Sequence, residues 1–360
     1  MGTALAKIDT AKLPLRLALF LNKRCNLSCD YCYLAFAPDD KEKEIELSLA
    51  REIAAKALKD PAPEINFGFF GAEPMLSFRK IREITDIMEE RANGSGKKIT
   101  FSLNTNATCI TEDAAQFFRE KEFFITVGMD GVGPAQNKHR RLLDEGCEYR
   151  SAEEGLQTLL SYGVAPHVRI TYTPETVLTL SDALISLAMF GVLSVGVAGA
   201  YAYGNWNNIA FDKLKTAFNE LTEAWLVLRA KGYDITVTEI ETCLKLGLTS
   251  PPLGSKRPSC TELKNLFAID LNGDVYACYR IVGERGEKKV SIFEVKDFAE
   301  VRAALDNAFT VRPPQCETCS VANLCRFCPV LYEKAGEEIY CKARRIAFSA
   351  ILETLQKYEE

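Results

Sequence analysis

The sequence predicts an α/β fold: a partial (β/α)6 barrel of the TIM-like kind, followed by a small cysteine-rich domain. Two observations carry this reading. From Leu15 to about residue 230, short apolar runs alternate with longer amphipathic ones, the pattern of parallel strands wrapped by helices. After Gly232 the alternation stops, Pro251, Pro252, Pro258, Pro313 and Pro314 interrupt the chain, and cysteines become dense. The boundary is placed there, giving segments 1–232 and 233–360. A chain of 360 residues with 47% hydrophobic and 26% charged residues can bury a core of that size.

Taken in order, Leu15 to Leu21 reads as the first strand and Leu47 to Leu58 as a helix. Strand Ile65 to Phe70 ends in the turn Gly71-Ala72-Glu73-Pro74. Helix Ile81 to Arg91, strand Ile99 to Leu103, helix Glu112 to Arg119 and strand Phe123 to Val127 come next. Helix Ala152 to Tyr162, strand His167 to Tyr172, helix Ser181 to Met189 and strand Leu193 to Val197 complete about six strand–helix units, and a long helix spans about Asp212 to Arg229. Beyond Tyr233 the apolar pattern is too irregular to fold on burial alone, so metal clusters are expected to hold that region together. The charged run Asp39 to Glu44 reads as solvated loop.

A net charge of -5 provides no global basic field, which disfavours nucleic acid as a partner. The start lacks a signal-like segment and no apolar run approaches the roughly 20 residues that span a bilayer, so the cytoplasm is the expected compartment and no membrane is involved. Disulfides are rare there, so thirteen cysteines point to metal ligation. Cys25, Cys29 and Cys32 lie just past the first strand, at the end of the barrel where such a fold puts its chemistry. Three thiolates can hold three corners of a 4Fe–4S cube and leave one iron open to a small molecule. Cys260, Cys278, Cys316, Cys319, Cys325, Cys328 and Cys341 crowd the other end. Five residues separate Cys319 from Cys325, whereas the knuckles of a zinc ribbon are typically about 15–20 apart. Cys109 and Cys147 read as small buried hydrophobes. Of the two histidines, His167 reads as structural, and His139 stands nearer the presumed site.

Cys-x3-Cys-x2-Cys with Tyr31 before its last cysteine resembles the radical S-adenosylmethionine (SAM) enzymes. The resemblance continues through Gly71, Ala72, Glu73 and Pro74, then Asn104-Thr105-Asn106, Asp130-Gly131 and Arg140, covering residues 1 to about 230. It implies that Cys25, Cys29 and Cys32 hold a cluster whose open iron chelates SAM, which is cleaved reductively to a 5′-deoxyadenosyl radical that abstracts hydrogen from substrate. It further implies that the Gly71 to Pro74 turn holds the SAM amino group and Arg140 the carboxylate, with Tyr31, Asn106 and Asp130 completing the cofactor site. Two positions depart: Ala72 replaces a glycine, tolerable if its φ is negative, and Gly128 stands where a serine is common, removing a hydrogen bond.

The carboxyl-terminal cysteines resemble the SPASM extension of this superfamily. That implies two auxiliary 4Fe–4S clusters, three in all: Cys316, Cys319, Cys325 and Cys341 around the outer one, and Cys260, Cys278 and Cys328 around the inner one, with Cys243 as its candidate fourth ligand. Only two residues separate Cys325 from Cys328, where three are usual. Such proteins most often modify peptides, so oxidative maturation of a ribosomally made peptide (thioether or carbon–carbon crosslink, or backbone excision) is the first expectation. Anaerobic sulfatase maturation, which makes formylglycine, is the second. Those maturases carry an aspartate after the cysteine matched by Cys278; here Tyr279 and Arg280 follow. An electron carrier or iron–sulfur scaffold is the alternative of another class, but it has no need of a barrel with a SAM turn. The implied partners are a precursor peptide and an electron donor such as flavodoxin or ferredoxin; with 24 residues before Cys25, leader recognition is expected either from a separate leader-binding protein or not to be needed.

Overall fold

The computed structural model describes residues 13–34, 43–143, 151–246, 264–306 and 312–359. In chain order the elements are β1 (Leu15–Phe20), β2 (Leu27–Cys29), α1 (Leu47–Ala57), β3 (Glu64–Phe70), α2 (Phe78–Ala92), β4 (Lys98–Thr105), α3 (Glu112–Glu120) and β5 (Phe124–Gly128). Then follow α4 (Pro134–Asn137), β6 (Arg140–Leu142), α5 (Ala152–Ser161), β7 (His167–Tyr172), α6 (Leu180–Met189), β8 (Ser194–Gly199) and α7 (Asn208–Ala230). The remainder contains β9 (Thr236–Val237), α8 (Thr238–Leu246), β10 (Leu266–Ile269), β11 (Asp274–Tyr276), β12 (Lys289–Ser291), α9 (Phe298–Ala304), α10 (Pro329–Ala335) and α11 (Glu337–Glu359).

Six strands, β1, β3, β4, β5, β7 and β8, run parallel in that order, as the alternation predicts. Their buried apolar residues alternate along each strand and pack against the helices: Leu17 and Leu19, Phe67 and Phe69, Phe101 and Leu103. The opposite face is small or polar. Ala18, Gly68, Ser102 and Thr126 line a cavity inside the barrel, where a closed TIM barrel would be filled by bulky side chains. Side-chain caps set several helix starts. Thr111 accepts from the Ala114 amide, Ser151 and Glu154 form a capping box, and Asn207 accepts from the Ala210 amide.

The sheet does not end at Gly232. β9 adds to β8 in parallel, β10 adds to β1 in parallel, and β11 and β12 extend that edge antiparallel, making a ten-stranded open sheet. Burial contributes more to this region than its irregular apolar pattern suggests. Phe267, Ile269, Phe298, Val301, Phe348 and Ile351 join the same core as the barrel, and α11 packs along α7. The strands are too short for their periodicity to show. In α11, however, Ala343, Ala347, Ile351 and Leu355 recur at helical spacing and were readable. A second core of Ala18, Phe20, Ala268, Ile281 and Val330 seats the Cys278 segment against the inner face of β1. Among the described residues no helix is long and apolar enough to cross a membrane.

Candidate functional site

The carboxyl ends of the parallel strands surround a cavity of about 650 Å³. Its wall includes Cys25, Cys29 and Cys32, the turn Gly71 to Glu73, Asn106 and Tyr31, so most of the predicted site converges here. Pro74 and Asp130 lie behind that wall, at the start of a short 3-10 helix and at the end of β5.

A pairing invisible in the sequence positions the cysteine loop. β2 and β6 form a two-stranded antiparallel sheet whose register sets Cys29 opposite Arg140. Leu27 donates its amide to Cys25 Sγ at 3.3 Å and Asn106 Nδ2 approaches the same sulfur at 3.8 Å, donors suited to a thiolate. Without metal, burial pushes the Cys25 thiol up to about 12, with the Glu73 carboxylate adding to it, and pushes Cys29 up to about 11 despite Arg140. Bound iron would have to displace those protons.

Glu73 is not free to act alone. Its carboxylate accepts from the Met75 amide (3.0 Å), the Thr105 hydroxyl (2.7 Å) and the Asn106 amide (2.8 Å), which ties the end of β3 to the end of β4. Burial outweighs these donors and pushes its carboxyl up to about 7. Asn22 donates to the Glu73 carbonyl (2.9 Å) and to Ser77 Oγ (2.8 Å), which in turn donates to Glu44. Glu44 also pairs with Arg24 at 2.9 Å, so it is anchored rather than solvated as its charged run suggested. Asn26 donates to Thr108 Oγ1 (2.7 Å) and accepts from Asn106 Nδ2 (2.9 Å). Asn22, Asn26, Thr105 and Thr108 escaped sequence reasoning. The polar residues flanking Cys25 and Asn106 were the available signal.

Arg140, on the cavity wall, forks onto Asp130 behind it, Nε to Oδ2 at 2.9 Å and Nη2 to Oδ1 at 3.0 Å, with side chains only 10% and 5% exposed. The Thr171 amide donates to Oδ1 at 2.8 Å and the Tyr31 hydroxyl donates to Oδ2, so the carboxylate is saturated. Arg140 also lies 5.6 Å from the Tyr31 ring centre. Gly128 makes room for this. A Cβ there would stand 3.1 Å from Arg140 Nη1, so the guanidinium occupies the space a serine side chain would need. Ala72 is not among the residues with positive φ, and its methyl costs no backbone strain. Gly155 in α5 permits another close approach: a Cβ would come within 1.9 Å of the Ala107 carbonyl oxygen, and Ala107 follows Asn106 at φ 64°.

His139, which the sequence places nearer the site, is held by structural hydrogen bonds. It is buried, with Nδ1 3.1 Å from Asp30 and Nε2 3.1 Å from Thr173 Oγ1. His167 is structural as expected, its Nδ1 2.8 Å from Ser194 Oγ. Cys109 is buried but disulfide-bonded, not a free thiol. Cys147 and Cys260 lie outside the described residues.

The carboxyl-terminal cysteines form two groups. Cys316 and Cys325 lie near enough to Cys341 to help burial push its thiol up to about 11. Cys278 and Cys328 line the second cavity, of about 890 Å³, which runs through the barrel interior. Cys243 is fully buried on α8 beside Glu239 and Arg344 and does not line that cavity. Among the described residues no three His, Cys, Asp or Glu side chains close on a single-ion site. Sulfurs around one zinc would stand only about 3.8 Å apart at ordinary Zn–S lengths.

Residues 19–183 match the Radical SAM superfamily. The chain is 25% identical over 353 residues to a serine-type anaerobic sulfatase-maturating enzyme of Klebsiella pneumoniae, covering 93% of this chain and 86% of that one. It is 21% identical to a cysteine-type anaerobic sulfatase-maturating enzyme of Clostridium novyi, over 85% of this chain and 84% of that one. Among solved structures, native anSMEcpe with bound AdoMet superposes with a TM-score of 0.75 at 18% identity, covering 96% and 99% of the two chains. Streptococcus suis SuiB bound to precursor peptide SuiA gives 0.62 at 15% identity, covering 91% and 75%. At these identities the superpositions speak for the fold alone. The family match, borne on the strand ends where the cysteine loop and the Gly71 to Glu73 turn meet, gives this chain a radical SAM domain over residues 19–183.

Proposed function

We infer that this chain is a radical SAM enzyme that oxidises a side chain of a peptide or protein substrate, with the serine or cysteine oxidation of a sulfatase maturase as the leading reading. The observation that carries it is the extent of the similarity: the sulfatase-maturating relatives match both the barrel and the carboxyl-terminal region. The comparisons thus favour the second expectation of the sequence over peptide crosslinking. One observation keeps crosslinking as a second reading: Tyr279 and Arg280 follow Cys278, where the maturases carry an aspartate.

The chain's residues fit the cofactors the family uses. Cys25, Cys29 and Cys32 would hold one 4Fe–4S cluster, and the Gly71 to Glu73 turn, Asn106 and Arg140 would face SAM. When bound, a reduced cluster would supply one electron and SAM would accept it, the chemistry from which a hydrogen-abstracting radical arises. Around them the protein excludes water with the aromatic wall of Phe70 and Tyr279, whose rings stack at 5.2 Å. Cys278 and Cys328, with Cys260, would hold an inner auxiliary cluster, and Cys316, Cys319, Cys325 and Cys341 an outer one. The division at Gly232 is therefore proposed as one of role, within a continuous sheet. A flavodoxin or ferredoxin electron donor belongs to the same reading, and crosslinking would add a precursor peptide and a leader-binding protein.

The test is anaerobic reconstitution with SAM, dithionite and paired sulfatase-motif peptides carrying serine or cysteine. Formation of 5′-deoxyadenosine together with the mass decrease of formylglycine is expected. SAM cleavage that leaves both peptides intact would overturn the leading reading.

A further inference from the structure

The two cavities share a wall, and its only charged groups among the described residues are Arg169 and Arg280. Arg280 is held rigidly. Its guanidinium carbon lies 4.9 Å from the Tyr33 ring centre and 5.7 Å from that of Tyr279, and Tyr33 and Tyr279 stand 6.2 Å apart. Arg169 rises from β7, whose neighbouring residues Val168 and Ile170 are buried on the opposite face. Among the described residues neither guanidinium has a carboxylate within ion-pair distance, and Glu239 influences Arg169 only at longer range. The acids of the first cavity are committed elsewhere: Asp30 to His139 and Arg141, Glu73 to its three donors. Of the second cavity's acids, Glu64 pairs with Lys98, Glu239 accepts from the Val197 amide, and Glu122 forms no ion pair with either guanidinium, so two forked cations, one clamped by aromatic faces, look onto the junction of the two cavities with no carboxylate paired to them among the described residues. Such a surface recognises a carboxylate, because a guanidinium fork pairs with two oxygens and is strengthened away from bulk water.

Resting on the reading of a peptide substrate, we propose that Arg169 and Arg280 form a carboxylate receptor that selects a peptide with an acidic side chain close to the residue modified. The segment after Cys278 then serves recognition here, with Arg280 as a specificity-determining residue and Tyr33 and Tyr279 as positioning residues.

Binding, not turnover, tests this, so that its failure is separable from failure of the oxidation reading. Reconstituted full-length enzyme with SAM is titrated calorimetrically with two cysteine peptides differing only by Glu or Gln beside the cysteine. The wild type is expected to bind the Glu peptide about tenfold more tightly or better, as a charge-assisted pair implies. Arg280→Gln should erase the preference, and Arg280→Lys, which keeps the charge and loses the fork, should recover part of it. Equal affinity of the wild type for both peptides overturns the proposal. So does a fall in SAM affinity in Arg280→Gln with the peptide preference intact, which would assign the guanidinium to SAM's own carboxylate. A shifted cluster reduction potential with an intact preference would make Arg280 a counter-charge to the auxiliary sulfurs, and likewise overturns it. Selective binding of the Glu peptide without any product leaves the receptor standing and removes the oxidation reading.

Discussion

The two cysteine regions are built differently. Cys25, Cys29 and Cys32 sit at the end of a parallel sheet, in a loop pinned by the β2–β6 pairing and by amide and carboxamide donors from Leu27 and Asn106. The carboxyl-terminal cysteines sit on short turns and helix starts, held mainly by apolar packing of α11 on α7 and of the Cys278 segment on β1. The lesson is one of precision. A hydrogen-bonded strand end fixes sulfur positions from within the fold, whereas the packed turns depend on how well a long helix docks.

The largest effect should separate the two regions outright. Cys25→Ala, Cys29→Ala or Cys32→Ala should reduce 5′-deoxyadenosine formation from SAM and dithionite to background. Cys319→Ala or Cys341→Ala should retain cleavage while losing peptide product, with circular dichroism confirming the fold. Equal loss of cleavage in a folded Cys341→Ala protein would erase the distinction.

Next in size is the buried pair that backs the first region. Arg140→Ala strands Asp130 and should cost about 3–5 kcal/mol in urea unfolding. A loss under about 1 kcal/mol would mean that water already solvates the pair. The matching probe of the second region is Ile351→Ala on α11, a fully buried residue whose truncation should cost about 2–5 kcal/mol. One cooperative transition is expected, since the core is shared with the barrel; a separate early transition confined to the carboxyl-terminal region would contradict that. The smallest effect tests the turn that carries Asn106. Gly155→Ala forces a methyl onto the Ala107 carbonyl and should destabilise by about 1–3 kcal/mol. A neutral result would show that α5 can shift without disturbing the site.

The barrel was legible because each parallel strand and its covering helix are long enough to show their periods. The sequence reading placed β7 at His167 to Tyr172 and the other five parallel strands within two residues. The strands after Gly232 were not legible: β9, β11 and β12 have two or three residues, too few for alternation to register. For His139 the sequence shows a titratable residue beside Arg140, but not Asp30 and Thr173 closing on its two nitrogens. The substitution at Gly128 looked like a lost hydrogen bond and proved to be space for Arg140.

By itself the sequence determined the six-strand parallel unit and the spacing of the cysteine run, since periodicity and spacing are local properties of the chain. It also located most of the residues that meet at the strand ends, because loops after parallel strands share one end of the sheet. Only the tertiary structure decided which groups are already spent and which remain free. Arg140 is neutralised by a carboxylate ten residues earlier, whereas Arg280 and Arg169, far apart in sequence, face the same opening without one. Charge pairing and desolvation depend on distances across the fold, and no local pattern in the chain encodes them.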